Sequence, residues 1–526
     1  MLIVSLPGGI LSALAVIPIV SLLGGLTVLG WTAQRSAIVS FALAIVMSTF
    51  LYGLLPEAAA IAMLKGVLLS LFVLLIIWAA LFLYLFLDRL GAIESIGQAM
   101  MRSAGLAPVR ALLIGWGFSG FLQGFAGFGA PVASVVPLLQ AAGFGGVRSA
   151  AAAMVGHSWA ITFGSMGSSF FAIQLVTRIP GEELAPWLGA LFVMPIIITG
   201  LSVLHILLGW RGLATGGPLA LIVGAAMAAT LWTSAQQGAG PIASILAAMV
   251  GSAILLGVGM TYRRLSGNKT VVAVAETGLL NIHLALLPYY LLVVLTLLAQ
   301  TGPIAAAAKL VVLGVDLPST TTLLGFQAAA EATYPRLRLL QHPAVVIALA
   351  LFLTALVYRA KGIWPAGVLG RTLQLTYRRA KGTSITVLFM VMMALVMADS
   401  GMINALAFGL RTLVGPAFPL VSPFLGVLGA FMTGSNTNSN VAMGALQIET
   451  AAALGLLPAL IAAAQSVGGS LGSGVSPDKA AIGASAAGIV GQEASIMRRA
   501  LPYSLIAAAV VGVEVLLIGR WLSGAG

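Results

Sequence analysis

The sequence predicts an all-α polytopic membrane protein with about twelve transmembrane helices and two re-entrant hairpins, arranged as two inverted repeats. Three observations carry that prediction. Only 7% of the 526 residues are charged while 60% are hydrophobic, and the mean hydropathy is +1.10. A water-soluble chain uses roughly 25% charged residues to cover its surface, so here lipid replaces water as the surrounding solvent. Apolar stretches long enough to cross a bilayer core about 30 Å thick follow one another along the chain. Two of them are broken by glycine and polar residues at matching places.

The net charge of +12 does not indicate nucleic acid, because the basic residues are scattered through short loops and no basic, aromatic-rich domain exists. Retention of Lys and Arg on the cytoplasmic side explains them. The absence of cysteine excludes disulfides, thiolate metal sites, iron–sulfur clusters and Cys nucleophiles. Met1 to Ser5 lack a basic leader, so this stretch reads as the approach to a first span rather than a cleaved signal.

The spans fall near 9–30, 36–55, 61–87, 148–177, 187–209, 217–235, 241–260, 284–300, 343–358, 384–399, 456–475 and 500–522. The apolar pairs at 111–142 and 420–455 are broken in the middle and read as re-entrant hairpins. With both termini outside, most of the 25 Lys and Arg lie in cytoplasmic loops, including Arg263-Arg264, Arg359 to Lys381 and Arg498-Arg499. Lys65 falls inside the third span near its outer end, where snorkelling to the interface is the expectation. The connectors 88–110 and 400–419 read as amphipathic helices along each interface.

A nearly fixed offset joins the two broken regions. Val155-Gly156-His157-Ser158 answers Val467-Gly468-Gly469-Ser470, 312 residues later, and Gly143 answers Gly455 at the same offset. Gly91-Ala92-Ile93-Glu94 answers Gly401-Met402-Ile403-Asn404 at 310, and Gly105 answers Gly415. An odd number of crossings separates corresponding spans, so the halves are expected to be inverted. The first hairpin then enters from the cytoplasm and the second from outside. The expected division is 1–216 for the first repeat, 217–283 for linking spans and a cytoplasmic loop, and 284–526 for the second repeat. Inverted repeats with broken helices near the midplane are the architecture of secondary transporters.

The first hairpin turns through Gln123-Gly124-Phe125-Ala126-Gly127-Phe128-Gly129-Ala130-Pro131, and the second through Gly434-Ser435-Asn436-Thr437-Asn438-Ser439-Asn440. At a helix break, unpaired N–H groups and the positive end of the helix dipole suit a carboxylate. Gln123, Gly124, Ala126, Gly127, Gly129, Ser435, Asn436, Thr437, Asn438 and Asn440 are therefore the expected substrate contacts. His157, beside Trp159, is a further candidate, and Thr162 to Ser169 form a third small, polar run. The bland alternative is that small residues let helices pack closely; two such runs in matching places weigh against it. Asp399 reads as an interfacial carboxylate, whereas Glu331, Glu449 and Glu514 lie in or beside apolar segments where a carboxyl can carry a proton. Asp399, Glu331 and His157 are the candidates for ion coupling. Asp478 is expected to cap the break that ends the eleventh span.

At these motifs the chain resembles the lactate permease family, which also includes glycolate carriers. Gly120 to Ala133 resemble the family's first signature; Ser422-Pro423-Phe424-Leu425-Gly426 leading into Thr433 to Asn440 resemble its second. Gly209-Trp210-Arg211-Gly212, Ser476-Pro477 and Gly491-Gln492-Glu493 are similar to further family positions. The resemblance implies import of L-lactate, D-lactate or glycolate across the bacterial inner membrane in symport with protons, with no cofactor. Gln123 stands where the family favours Glu, and Asn436 where it favours Asp, which removes two titratable groups. Ser435-Asn436-Thr437 then looks like the tip element of sodium-coupled dicarboxylate carriers, so Na⁺ coupling is the second reading. No basic residue lies within either motif, which disfavours a dicarboxylate substrate.

An intramembrane enzyme would need a catalytic constellation, and no metalloprotease helix, paired-aspartate motif or Ser–His arrangement is present. A channel could line its pore with the same amides and hydroxyls, but the repeat favours a carrier.

Overall fold

The computed structural model describes residues 8–103, 105–127, 129–266 and 280–524. Met1 to Ser5, Phe128 and much of the expected cytoplasmic loop within 217–283 lie outside the described residues. The protein is a mostly helical, multi-pass membrane protein. Among the described residues, nine helices are long and apolar enough to cross a membrane, or up to ten counting one bent pair. Met402–Thr433, which runs over the connector expected along the interface at 400–419 and the first arm of the second hairpin, is among those nine, and Pro458–Gly474 is not; the expected spans nonetheless fall largely on helix. Three of them share the run Gly181–Leu265, which turns at Gly209 and Gly238, both at positive φ.

One expected span is not continuous. Over 148–177 the chain forms Gly146–Ala160 and Gly164–Thr177, bent by 53°. Ser165, Met166 and Gly167 adopt left-handed φ values of 47°, 54° and 79°, a conformation costing a non-glycine residue roughly 1–2 kcal/mol. Such strain persists only where surrounding structure enforces it.

Both broken apolar pairs are antiparallel helical hairpins. The first descends through Ala107–Leu112, a wide turn at Leu113–Phe118 and Ser119–Phe125, then returns as Ala130–Ala141. Gly115 faces Leu139 across it. The first arm stops at Phe125; Gly129 at φ 81° is the N-cap of the returning helix and Pro131 lies in its first turn, where the N–H that proline lacks has no partner within the helix. The second hairpin descends as Phe418–Thr433 and returns as Asn436–Ala453. Ser439 Oγ donates to the Gly426 carbonyl at 2.9 Å and Ser422 Oγ to Gln447 Oε1 at 2.5 Å, pairing the two arms. Gly434 at φ 70° closes the first arm, and Ser435 caps the second by accepting from the Asn438 N–H at 3.3 Å.

Matching glycines do matching work. A Cβ on Gly156 would strike the Gly115 carbonyl, and one on Gly468 would strike the Pro423 carbonyl. Both glycines let a later helix touch the backbone of a hairpin's first arm. Gly91 and Gly401 lie just after the long helices Pro56–Arg89 and Val368–Asp399, both at positive φ, and short helices Ala92–Ser103 and Met402–Val414 follow. Gly143 and Gly455 follow the returning arms, also at positive φ.

Small antiparallel strand pairs interrupt the helical pattern, Val312–Leu317 with Glu331–Arg338 and Thr320–Thr321 with Gln327–Ala328. The Glu331–Arg338 strand meets the start of the Pro56–Arg89 helix, and there Lys65 does not snorkel. It is fully buried, its Nζ 2.9 Å from Asp399 Oδ2 and 3.8 Å from Glu331 Oε1. Asp399 is buried as well, not interfacial. A partner carboxylate and the strand cover Lys65, so its charge is compensated in place.

Candidate functional site

Four helix breaks meet. The turn after Phe125, the left-handed stretch at Ser165, the tip at Gly434 and the junction Val475-Ser476 enclose a cavity of about 40 Å³. Gln123, Gly127, Ile161, Ser165, Ser168, Ser169, Gly434, Ser435, Asn436, Thr437, Ser473 and Lys479 line it. Nine of these twelve residues carry polar side chains, and the helices Asn436–Ala453 and Pro477–Ala487 begin beside the cavity. The first-turn N–H groups of Asn436 and Thr437 have no use within their own helix.

Most of the side-chain bonding belongs to the second hairpin. Asn436 Nδ2 donates to Thr162 Oγ1 at 2.9 Å and to the Ser466 carbonyl at 3.2 Å. A carbonyl can only accept, so this contact fixes the amide orientation. Thr162 Oγ1 in turn donates to the Ser466 carbonyl at 2.9 Å. Asn440 Nδ2 donates to the Ser169 carbonyl at 3.0 Å and to Ser466 Oγ at 2.9 Å, while Thr437 Oγ1 and Ser169 Oγ are 2.9 Å apart. Broken helix, hairpin and the Pro458–Gly474 helix are thereby tied together.

The charge at this site comes from Lys479, 3% exposed. Its Nζ donates to the Gly434 carbonyl at 2.7 Å and to Ser476 Oγ at 3.3 Å, and lies 3.5 Å from Asp478 Oδ2. Ser476, not Asp478, is the N-cap residue of Pro477–Ala487. The carboxylate of Asp478 instead lies against the hairpin tip, where a Cβ on Gly434 would come within 2.8 Å of it. Although neither hairpin motif contains a base, a cation from a third segment reaches the second tip. The sequence signal was a lysine directly after a Ser-Pro helix start between small, apolar segments.

The expected contacts divide. Gln123, Gly127, Ser435, Asn436 and Thr437 line the cavity. Asn440 is buried beside it as a brace, and Asn438 is buried with Oδ1 unpartnered among the described residues. Gly124 packs on Ile245, and Ala126 is buried away from the lining. His157 is fully buried, its Nδ1 2.8 Å from the Ala153 carbonyl, and does not line the cavity. Gly129 lines a second cavity of about 380 Å³ with Tyr84, Arg379 and Thr383; Gly127 borders both. Sequence reading missed Ile161, Ser473 and Lys479, and reached Ser165, Ser168 and Ser169 only as a polar run.

For a sodium ion, oxygens must converge. Ser435 Oγ accepts from the Asn438 N–H, and Thr437 Oγ1 lies 2.9 Å from Ser169 Oγ. Asn436 Oδ1 lies where a Cβ on Gly469 would strike it. All three residues nonetheless line the tip cavity, and Asn436 Oδ1 has no hydrogen-bond partner among the described residues. Asp399 and Glu331 meet through Lys65, at the far end of the Gly164–Thr177 helix from the tip.

A family described as L-lactate permease matches residues 12–522. The glycolate permease GlcA of Escherichia coli (strain K12) is 27% identical, covering 97% of this chain and 96% of that protein. The L-lactate permease of Bacillus subtilis (strain 168) is 28% identical, over 94% of each. Among solved structures, the Alcanivorax borkumensis YdaH transporter is similar at a TM-score of 0.47 and 18% identity, over 88% of each chain.

Proposed function

The chain belongs to the L-lactate permease family, and from that premise we propose that it carries lactate or glycolate across the bacterial inner membrane by alternating access, in symport with a proton. The observation that carries the substrate reading is Lys479: a buried ammonium at a cavity ringed by helix starts and hydroxyls. An ionisable group inside a membrane protein is costly and marks a functional position. Of its three polar contacts, the 3.5 Å approach to half-exposed Asp478 is the weakest, and a substrate carboxylate replaces it. The N–H groups of Asn436 and Thr437 share the carboxylate charge, while Gln123, Ser165 and Ser168 offer partners to the neighbouring hydroxyl. One cation and a small cavity suit a monocarboxylate.

About 40 Å³ holds a few water molecules, less than a hydroxy acid needs, so the site must open. The first hairpin supplies the movable wall, because Gly127 separates the tip cavity from the larger one beside Arg379. On the opposite side a cavity of about 840 Å³ reaches Phe72, whereas the Arg379 cavity reaches Ile77 on the same helix. Five residues of helix correspond to about 8 Å, a barrier thin enough for a carrier. The repeats 1–216 and 284–526, inverted about the segment 217–283, supply the two moving units. Both termini face outside.

Asp399 carries the coupling proton in this account. Its protonation releases Lys65 and loosens the lock between the Pro56–Arg89 and Val368–Asp399 helices. Uptake of labelled L-lactate into proteoliposomes, driven separately by a proton and a sodium gradient, tests the reading. Accumulation under the proton gradient alone is expected, and it should vanish in Asp399→Asn; accumulation only under sodium would refute proton coupling.

A further inference from the structure

The cavity of about 840 Å³ is large enough for a small-molecule site. Arg178, Arg336 and Arg338 line it, against Glu182 and Glu331. Its backbone is unusual: Arg178, Thr333 and Arg336 all adopt left-handed φ, at 60°, 55° and 52°, and strain of this kind gathers at ligand sites. Arg178 is half-exposed to the cavity, and its Nη2 lies 2.5 Å from Glu331 Oε1. The same oxygen lies 3.8 Å from buried Lys65. One carboxylate, delivered by a strand, thus sits between two cations. The geometry is that of a carboxylate-binding site filled by the protein's own side chain.

We propose that Arg178, backed by Lys65, forms a second binding site for the same small carboxylate at the mouth of the carrier, and that Glu331 occupies it as an internal surrogate until substrate displaces it. The inference rests on the carboxylate reading of the tip cavity. Arg178 follows the Gly164–Thr177 helix, and Ser169 on that helix lines the tip cavity. Nine residues of helix place the two sites about 13 Å apart, so an anion leaving the mouth enters the influence of Lys479. Arg336 and Arg338, exposed beside Glu331, draw anions to the opening. An internal competitor lowers the apparent affinity of the mouth by the fraction of time it is absent, which keeps this site weak and quick to release.

The test is equilibrium binding of labelled L-lactate to the purified full chain in nanodiscs. Two sites per chain are expected in the unaltered protein. Glu331→Gln should tighten the weaker one by about tenfold, and Arg178→Gln should abolish it while leaving the other. Lys479→Gln should do the reverse. Glu331→Asp, which keeps the charge but withdraws it by one methylene, should give an intermediate affinity and guards against misfolding of the Gln variant. A single site lost in Lys479→Gln and unchanged by Glu331→Gln overturns the mouth site alone. No binding by the unaltered protein overturns the carboxylate reading and this inference with it.

Discussion

The two hairpins have the same outline and opposite construction. The second is cross-braced: Ser439 to Gly426, Ser422 to Gln447, Gln447 to Gln465, Asn436 to Thr162 and Asn440 to Ser169. The first turns through Gly127 and Gly129 with cavities against it. Buried amide networks with their donors satisfied rigidify a structure, whereas glycine at a turn leaves the backbone free to move. In the proposed carrier, one hairpin holds the site in place and the other opens it. A symmetric pair of tips would do neither job alone.

The comparison breaks first at Lys479. Replacing it by Gln removes the only charge among the residues lining the tip cavity, and a hydrogen bond to a charged group is worth roughly 1.5–3 kcal/mol. Uptake kcat/KM should fall about 10- to 100-fold, with Lys479→Arg retaining part of it. Next comes Asn436→Ala, which strips the Ser466 carbonyl of one of its donors. A loss of roughly 1–3 kcal/mol should appear as a lowered Tm, with a smaller lactate-induced shift; an unchanged shift would move the site elsewhere.

Gly434→Ala and Gly127→Ala separate the two tips directly. The first forces alanine into left-handed backbone and against Asp478, costing about 1–2 kcal/mol in a urea melt. The second meets the small Ser165 side chain at 2.6 Å and touches Gln123 Nε2 at 3.5 Å, so turnover should slow more than stability drops. Smallest are Gly143→Ala and Gly455→Ala, where positive φ is the whole cost because the space is open. Both should lose about 1 kcal/mol, and equal losses would support the repeat.

The helical class, most of the apolar helices and the helix breaks at the two hairpin tips were legible because each follows from local composition: apolar length, glycine with positive φ, proline at a helix start. Gly156 and Gly468 stand in stretches that the 312-residue offset singles out, and each touches the backbone of a hairpin's first arm where a Cβ would clash. What stayed hidden depends on distant segments. Lys479 was not singled out, because nothing local shows that a hairpin 45 residues earlier supplies its acceptor, the Gly434 carbonyl. Lys65 looked like a snorkelling residue because its partner Asp399 lies 334 positions away. The break at Ser165 to Gly167 was masked by an apolar stretch long enough to span, with only small polar residues to mark it. Strands at 312–338 carried charge and turns but no period strong enough to announce them.

Counterflow tests the central claim most directly. Proteoliposomes preloaded with unlabelled L-lactate should accumulate labelled L-lactate transiently when they carry the unaltered protein, and Lys479→Gln of equal folded yield should show almost none. Full counterflow by Lys479→Gln would contradict the placement of the substrate carboxylate on that ammonium.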